Sequence, residues 1–489
     1  MKNTTLYLPG FHLATLRRSP RSASQKLAEE LARIRCHTIS QLGECFTGFI
    51  QKHLLHREKT GKLSRRRLFS KENIFWGFFS QVLDAESGCA EVVRKFQAFA
   101  ASRSLPLPST SSSAYCQARQ KIEQSELKSI LAHTTSQLTQ QHSVKNNLES
   151  RRVIVVDGTG VSMPDTHSNQ EQWPQQRHQK KGCGFPQARI CACFDLRSGG
   201  VLSYQVGNRK QQELPLLRQQ WGTFKAGDIF LGDKGFCSFY DVYKFSIRDV
   251  DSVITLARRK PVTAANADKI LGEDDLLIHW PKPKWNKYLS YSKEEWQALP
   301  EKISLRQIKV NVDEPGFRVK TFYIITTLID SVNYSAKQIT ELYYQRWDVE
   351  LFFRDIKTTM GMDILRCKSP DMIQKELLMH FIVYNCIRLL MLKASKQKGI
   401  SPRNISFKAS VQALRQWEPL LKPDMKLSER NRLIDLLYDS ISASEIHQRP
   451  GRREPRCIKR RQKNFQLLNK PRHEMMEISH RNRYSAKQA

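Results

Sequence analysis

Twice in the middle of this chain a short run of β-branched and apolar residues stops abruptly at an aspartate with a glycine close behind. The first reads Arg-Arg-Val-Ile-Val-Val-Asp157-Gly-Thr and the second Ile-Phe-Leu-Gly-Asp233-Lys-Gly-Phe. Such runs are strand-like, and a carboxylate at the point where a strand ends emerges at a sheet edge with little cover. A single strand-ending Asp often does no more than close an Asx turn. Two of them, one element apart, set a stronger constraint: the carboxylates repel unless a cation stands between them, and a hard divalent ion with oxygen ligands is the usual answer.

The elements between the two aspartates fix the order. ARICACFDL and GVLSYQVGN, separated by an Arg-Ser-Gly turn before Gly200, read as an antiparallel hairpin. QQELPLLRQQW reads as a helix, DIFLGDKGF as a strand with a turn, 238–248 as another helix and SVITLA as a further strand. Three antiparallel strands followed by alternating helix and strand make an α/β class chain with an RNase H-like sheet. Residues 258–333 interrupt this order with strand-like pieces (LLIHW, ISLRQIKVNV, TFYIITTLI) and several prolines, as a β-rich insertion. Residues 1–145 carry helical signals only, among them SQKLAEELARI, NIFWGFFSQVL and SELKSILAHTTSQLTQQ. The expected units are therefore a helical N-terminal domain over 1–145, a core in two parts (146–257 and 334–395), the insertion 258–333, and a helical, basic C-terminal region 396–489. A chain of 489 residues exceeds what one hydrophobic core usually serves, in keeping with such a division.

Charge narrows the partners. Lys and Arg number 80 against 47 Asp and Glu, a net +33, and the stretch 451–489 alone carries 12 basic residues against 3 acidic ones. A surplus of this size repels itself unless it meets a polyanion, and nucleic acid is the natural one. An anionic membrane would require an amphipathic anchor or a lipidation signal, and neither is found. The start, MKNTTLYLPGFHLATLRR, lacks the apolar core of a secretory signal, and no window approaches a bilayer span, so a cytoplasmic chain without membrane contact is expected. IFWGFFSQVL and HFIVYNCIRLLML read as core helices. Eleven cysteines without a repeating interval imply reduced thiols. The one cluster, Cys183, Cys191 and Cys193, matches no standard zinc spacing.

The helix after the insertion supplies a third carboxylate. Tyr343, Arg346, Glu350 and Lys357 fall within a stripe about 60° wide at about 100° per residue. Beside it runs an apolar stripe of Ile339, Leu342, Val349, Phe353, Ile356 and Met360, expected to pack on the sheet. Asp348 and Asp355 point elsewhere on the same reckoning. Arg346 and Glu350 alone would be an ordinary i, i+4 surface pair. A carboxylate in line with Tyr, Arg and Lys instead suits a metal ligand beside phosphate-binding groups, with Arg able to hold a phosphate by two parallel hydrogen bonds.

Tyr343-x2-Arg346-x3-Glu350-x6-Lys357 resembles the YREK signature of insertion-sequence transposases of the fourth family, which are DDE transposases; the resemblance covers roughly residues 70–470 and includes Asp157-Gly-Thr and Asp233-x-Gly as the first two acidic motifs. It implies an RNase H-like core interrupted by a β-rich insertion, a helical DNA-binding N-terminus, Mg2+ as the metal with Mn2+ substituting, and Asp157, Asp233 and Glu350 as catalytic and metal-binding residues. It further implies binding of the element's terminal inverted repeats, cleavage and joining to target double-stranded DNA in a cut-and-paste reaction, and a homo-oligomer, a dimer on DNA. Tyr343, Arg346, Lys357 and Lys234 are the implied DNA contacts. Some relatives flip a base onto a Trp of the insertion, for which Trp280, Trp285 and Trp296 are available. The second motif carries Lys and Phe where many relatives have Arg and Tyr, which keeps a cation without bidentate geometry. Two other readings share parts of this pattern: an RNase H-like nuclease without strand transfer, and a non-catalytic DNA-binding protein.

Overall fold

The computed structural model describes residues 43–446 apart from short stretches within them, the longest 313–320 and 141–147, together with residues 470, 471 and 474. The expected helix near 24–34 and nearly all of the basic tail lie outside the described residues.

One nine-stranded mixed sheet runs through the molecule in the order β3-β2-β1-β4-β5-β9-β8-β7-β6. Its strands are β1 (Val153–Ser162), β2 (Gln187–Asp195), β3 (Val201–Asn208), β4 (Ile229–Gly232), β5 (Asp251–Thr255), β6 (Lys269–Gly272), β7 (Asp275–Pro281), β8 (Lys302–Asn311) and β9 (Thr321–Thr326). β1, β2 and β3 form an antiparallel meander, and β4 and β5 add to β1 in parallel. The hairpin corner is closed by the buried Asp195, whose Oδ2 accepts hydrogen bonds from the Ser198 amide (2.9 Å) and hydroxyl (2.5 Å). Gly199 beside it has φ +69°, a conformation that favours glycine.

The segment 258–333 does not build a separate sheet. β9 pairs antiparallel with β5, and β8, β7 and β6 follow it outward, so the insertion extends the central sheet by four strands. Strand pairing explains this. β5 would otherwise be an open edge of unpaired N–H and C=O groups, and β9 covers it.

The described N-terminal helices also do not stand apart. α1 (Lys71–Leu83), α2 (Cys89–Ser102), α3 (Ser113–Arg119) and α4 (Gln124–Thr139) share one hydrophobic cluster with the face of the sheet that carries Val153, Val155, Ile229 and Leu231. α1 is buried nearly all round, its apolar run 74–79 (IFWGFF) at the centre, and Ser70 Oγ caps it by accepting from the Asn73 amide. On the other sheet face lie α5 (Glu213–Arg218) and α6 (Phe239–Ser246), in a second cluster with Cys191 and Cys193. Those two thiols are buried apolar residues of β2, and among the described residues no group of His, Cys, Asp or Glu is arranged to hold a metal ion.

After β9 come α7 (Ala336–Tyr344), α8 (Asp348–Arg354), α9 (Pro370–Lys398), α10 (Phe407–Trp417) and α11 (Leu427–Ser442). α9 packs against α1, α4, α10 and α11. By length and composition this 29-residue helix could cross a bilayer, contrary to the expectation that no segment approaches that length, but 89% of its apolar window is buried inside the protein. It is a core helix.

Candidate active site

Asp157, midway along β1, and Asp233, just past the end of β4, lie on adjacent parallel strands. β1 pairs with β4 only as far as Val155↔Leu231, and continuing that register sets Asp157 level with Asp233. β1 itself does not stop at Asp157 as its sequence suggests. It runs on to Ser162 because β2 pairs with it there, Asp157 opposite Ala192. Alternation then places Asp157 on the face of Val153 and Val155, and Asp233 on the face of Ile229 and Leu231, the face covered by α7 and α8.

Each carboxylate is oriented by its own loop. Asp157 Oδ1 accepts from the Gly158 amide at 2.7 Å, and Asp233 Oδ1 accepts from the Gly235 amide at 2.7 Å. Burial pushes the Asp157 carboxyl up to about 6; the Gly158 amide opposes the rise, the charges of Asp233 and Glu213 add to it, and Arg346 opposes it. Glu213 was not singled out by the sequence. It opens α5 on the opposite sheet face, where its Oε1 lies 2.1 Å from the place a Cβ on Gly158 would take. A larger residue at 158 would push the Glu213 carboxylate aside. The only sequence signal was an acidic residue in the first turn of a helix following the hairpin.

The segment carrying the third carboxylate is not the uniform α-helix its periodicity suggests. α7 passes through a 3₁₀ turn (Gln345–Trp347) into α8, which ends in a π turn (Asp355–Thr359) where the Met360 amide reaches back to Asp355 O. Overwinding and then underwinding change the phase along the segment, so 100° per residue does not hold to Lys357. The apolar stripe nevertheless packs as expected, with Ile339, Leu342, Val349, Phe353, Ile356 and Met360 all buried.

The polar stripe divides. Tyr343 is buried, its hydroxyl bonded to Thr255 Oγ1 at the end of β5. Lys357 Nζ donates to Thr159 Oγ1 at 3.1 Å, two residues past Asp157 on the same strand face. Arg346 is only 7% exposed, stacked over the Trp347 ring at 4.7 Å, and its Nε meets no acceptor among the described residues. Glu350 is exposed on α8. It and the two aspartates are not gathered tightly enough to form a ligand group by themselves. Asp348 and Asp355 face away from the strand ends, paired with Arg403 and with Arg388 (3.0 Å) respectively.

Lys234 is exposed on the turn after Asp233. Of the insertion tryptophans, Trp280 is a correction: it is 7% exposed in β7, edge-on to Phe239 at 5.7 Å, because β7 turns it into the second core. Such a ring has no free face for a base. Trp285 and Trp296 are half-buried and lie 6.2 Å apart, and the Trp296 Nε1 donates to Pro283 O.

Residues 148–386, a span that holds Asp157, Asp233 and α8, match the family described as Transposase DDE domain. Transposase InsG for insertion sequence element IS4 of Escherichia coli (strain K12) is 24% identical over 431 residues, 86% of this chain and 92% of its own length. The chain is a DDE transposase. A probable transposase for insertion sequence element IS5377 of Geobacillus stearothermophilus shares 33% identity with this transposase over 84 residues, 17% of the chain and 22% of the relative. A solved piggyBac transposase synaptic complex with hairpin DNA aligns over 85% of the transposase and 86% of that chain at 13% identity, with a TM-score of 0.38, a distant likeness that carries no detail of the site.

Proposed function

We propose that this transposase binds the terminal inverted repeats of an insertion sequence, cleaves at the 3′ ends and joins the freed 3′-hydroxyls to target DNA by in-line phosphoryl transfer, with Asp157, Asp233 and Glu350 as its catalytic carboxylates. The observation that carries this reading is the pairing of two level aspartates on adjacent parallel strands with a buried arginine beside them whose Nε lacks a partner among the described residues. The central strand order β3-β2-β1-β4-β5, with three antiparallel strands and then two parallel ones, supports an RNase H-like core that the segment 258–333 interrupts.

The donor set suits a hard divalent cation, Mg2+ with Mn2+ as substitute, because Asp157 and Asp233 are oxygen ligands and the charge of Asp233 raises the cost of ionising Asp157. Bound there, such an ion supplies Lewis acidity toward the scissile phosphate and the attacking hydroxyl. Asp157 and Asp233 would hold it and Glu350 would add the third carboxylate. Arg346 donates its open N–H to a phosphate oxygen, which a buried guanidinium does more strongly than an exposed one. Lys357, tied to Thr159, holds a fixed positive charge over the same strand ends, and Lys234 adds one at the rim. Tyr343, spent on Thr255, braces the helix against β5 and does not offer its ring to a base. Trp285 remains the insertion residue for base stacking. The helical region before residue 145 contacts the element ends, and two copies come together on DNA because two ends must be joined.

The test is a strand-joining assay with pre-cleaved ends and a supercoiled plasmid. Joined product that disappears in Glu350→Gln, with end binding retained, supports the proposal. Hydrolysis without joining assigns the chain to nucleases instead, and unchanged cleavage in Glu350→Gln removes Glu350 from the site.

A further inference from the structure

A small cavity lies between the N-terminal helices and the segment that follows the π turn. It has a volume of about 150 Å³ and is floored by Phe78 and Gln81 of α1, with Arg119 of α3, Ser87, and His380 of α9 around it. Three polar atoms that line it have no hydrogen-bond partner among the described residues: Arg119 Nε, Ser87 Oγ and His380 Nδ1. Ser87 and His380 are each 5% exposed.

The charge is unbalanced as well. Arg119 Nη1 donates to Gln81 Oε1 at 2.8 Å and Nη2 to Cys367 Sγ at 3.6 Å, and the guanidinium lies 4.7 Å over the Phe78 ring. None of these partners is an anion. Glu376, the one carboxylate on the wall, uses both oxygens on backbone amides, accepting from Arg366 at 3.0 and 3.1 Å and from Cys367 at 2.9 Å. Arg366, also on the wall, donates Nη1 to Ser87 O at 2.6 Å. The charge of Glu376 favours the Arg119 cation, but each unmet donor is costly.

We propose that this cavity is a binding site for a tetrahedral oxyanion, a phosphate group. Arg119 Nε, the Ser87 hydroxyl and His380 in its Nδ1–H tautomer are three donors on residues that line one space, and the two arginines of that lining outnumber its one carboxylate. At roughly 30 Å³ per water the cavity has room for such an anion with a water beside it. The imidazole stays neutral, since burial, with the Arg366 charge in support, holds His380 down to about 3. It acts by hydrogen bonding and adds no charge. The site joins α1, α3 and α9, so an anion there would tie the N-terminal helices to the core. The anion has two possible sources, a phosphodiester of bound DNA or free phosphate, and they share this chemistry.

The proposal is tested with inorganic phosphate on the full-length protein, by calorimetric titration and thermal melting at constant ionic strength in chloride. One saturable phosphate site is expected, weakened at least tenfold in Arg119→Met and in Ser87→Ala. Displacement of phosphate by a short duplex identifies the DNA backbone as the source, and its persistence identifies a small anion. Crystals soaked in selenate should show anomalous density between Arg119, Ser87 and His380. If Arg119→Met does not fold, Ser87→Ala, which removes one hydroxyl and little packing, decides alone. An equal melting shift in chloride, unchanged affinity in Ser87→Ala, or a cavity without selenate density would overturn the proposal and leave a water-filled void.

Discussion

Replacing Asp157 by Asn should stabilise the metal-free transposase at neutral pH. The folded protein raises this carboxyl from its ordinary 3.8 to about 6, mainly by burying it. Each tenfold change in proton affinity is about 1.4 kcal/mol, so the ionised form costs the folded state about 3 kcal/mol. The sign follows from which state holds the proton more tightly. The folded state does, so the carboxyl's contribution is full below pH 3.8 and is lost as pH rises through about 6. Asparagine keeps the Oδ1 acceptor for the Gly158 amide and removes the charge that Asp233 and Glu213 repel. With an unfolding entropy of about 2 cal/mol/K per residue, about 3 kcal/mol shifts the melting temperature of a chain this long by roughly 3 °C. Calorimetric melts of wild type and Asp157→Asn at pH 7.5 and pH 4, with chelator present, measure it: the variant should melt higher at the first pH and level with wild type at the second. Mg2+ should then raise the wild-type value and leave the variant unchanged. A variant that melts at or below wild type at pH 7.5 refutes the reasoning, since it would mean the buried carboxylate is already compensated.

Other substitutions read other parts of the structure. Arg306→Met leaves Asp275 buried and unpaired where Arg306 now bonds it at 2.7 and 2.5 Å, and should cost about 3–5 kcal/mol in urea unfolding. Trp280→Ala should cost about 3–5 kcal/mol in the same measurement, whereas half-buried Trp285→Ala should leave stability nearly intact and reduce hairpin or joined product. Arg346→Lys should lower joining at least tenfold with end binding retained, because an ammonium cannot reproduce the stacked planar donor over Trp347.

Much of the site was legible because it depends on strand ends and a helix stripe. The hairpin, the two aspartates and the six buried positions from Ile339 to Met360 follow from local pattern alone. What escaped depends on partners distant in sequence. Nothing near Asp157 says that β2 will carry β1 five residues further, or that Glu213 will occupy the space beside Gly158. The 3₁₀ and π turns around α8 leave no composition signal and upset an angular estimate that assumes one winding. Trp280 and Trp285 differ only in whether strand alternation or a loop presents them, and a strand boundary is hard to place from sequence. Two of the expected domain boundaries, near 145 and 258, marked changes of element type that the three-dimensional core and sheet run straight across.

The central position of α9 governs how the chain must be made. α4 rests against a helix met only much later, as in the contact of Thr135 with Asn385, 250 residues further along. At roughly 5–20 residues per second, synthesis leaves the apolar sides of the early helices waiting on the order of ten to fifty seconds for their cover. A polypeptide that stops short of α9 never receives it. Truncated products of this gene should therefore be sticky, poorly soluble species and not compact DNA-binding fragments.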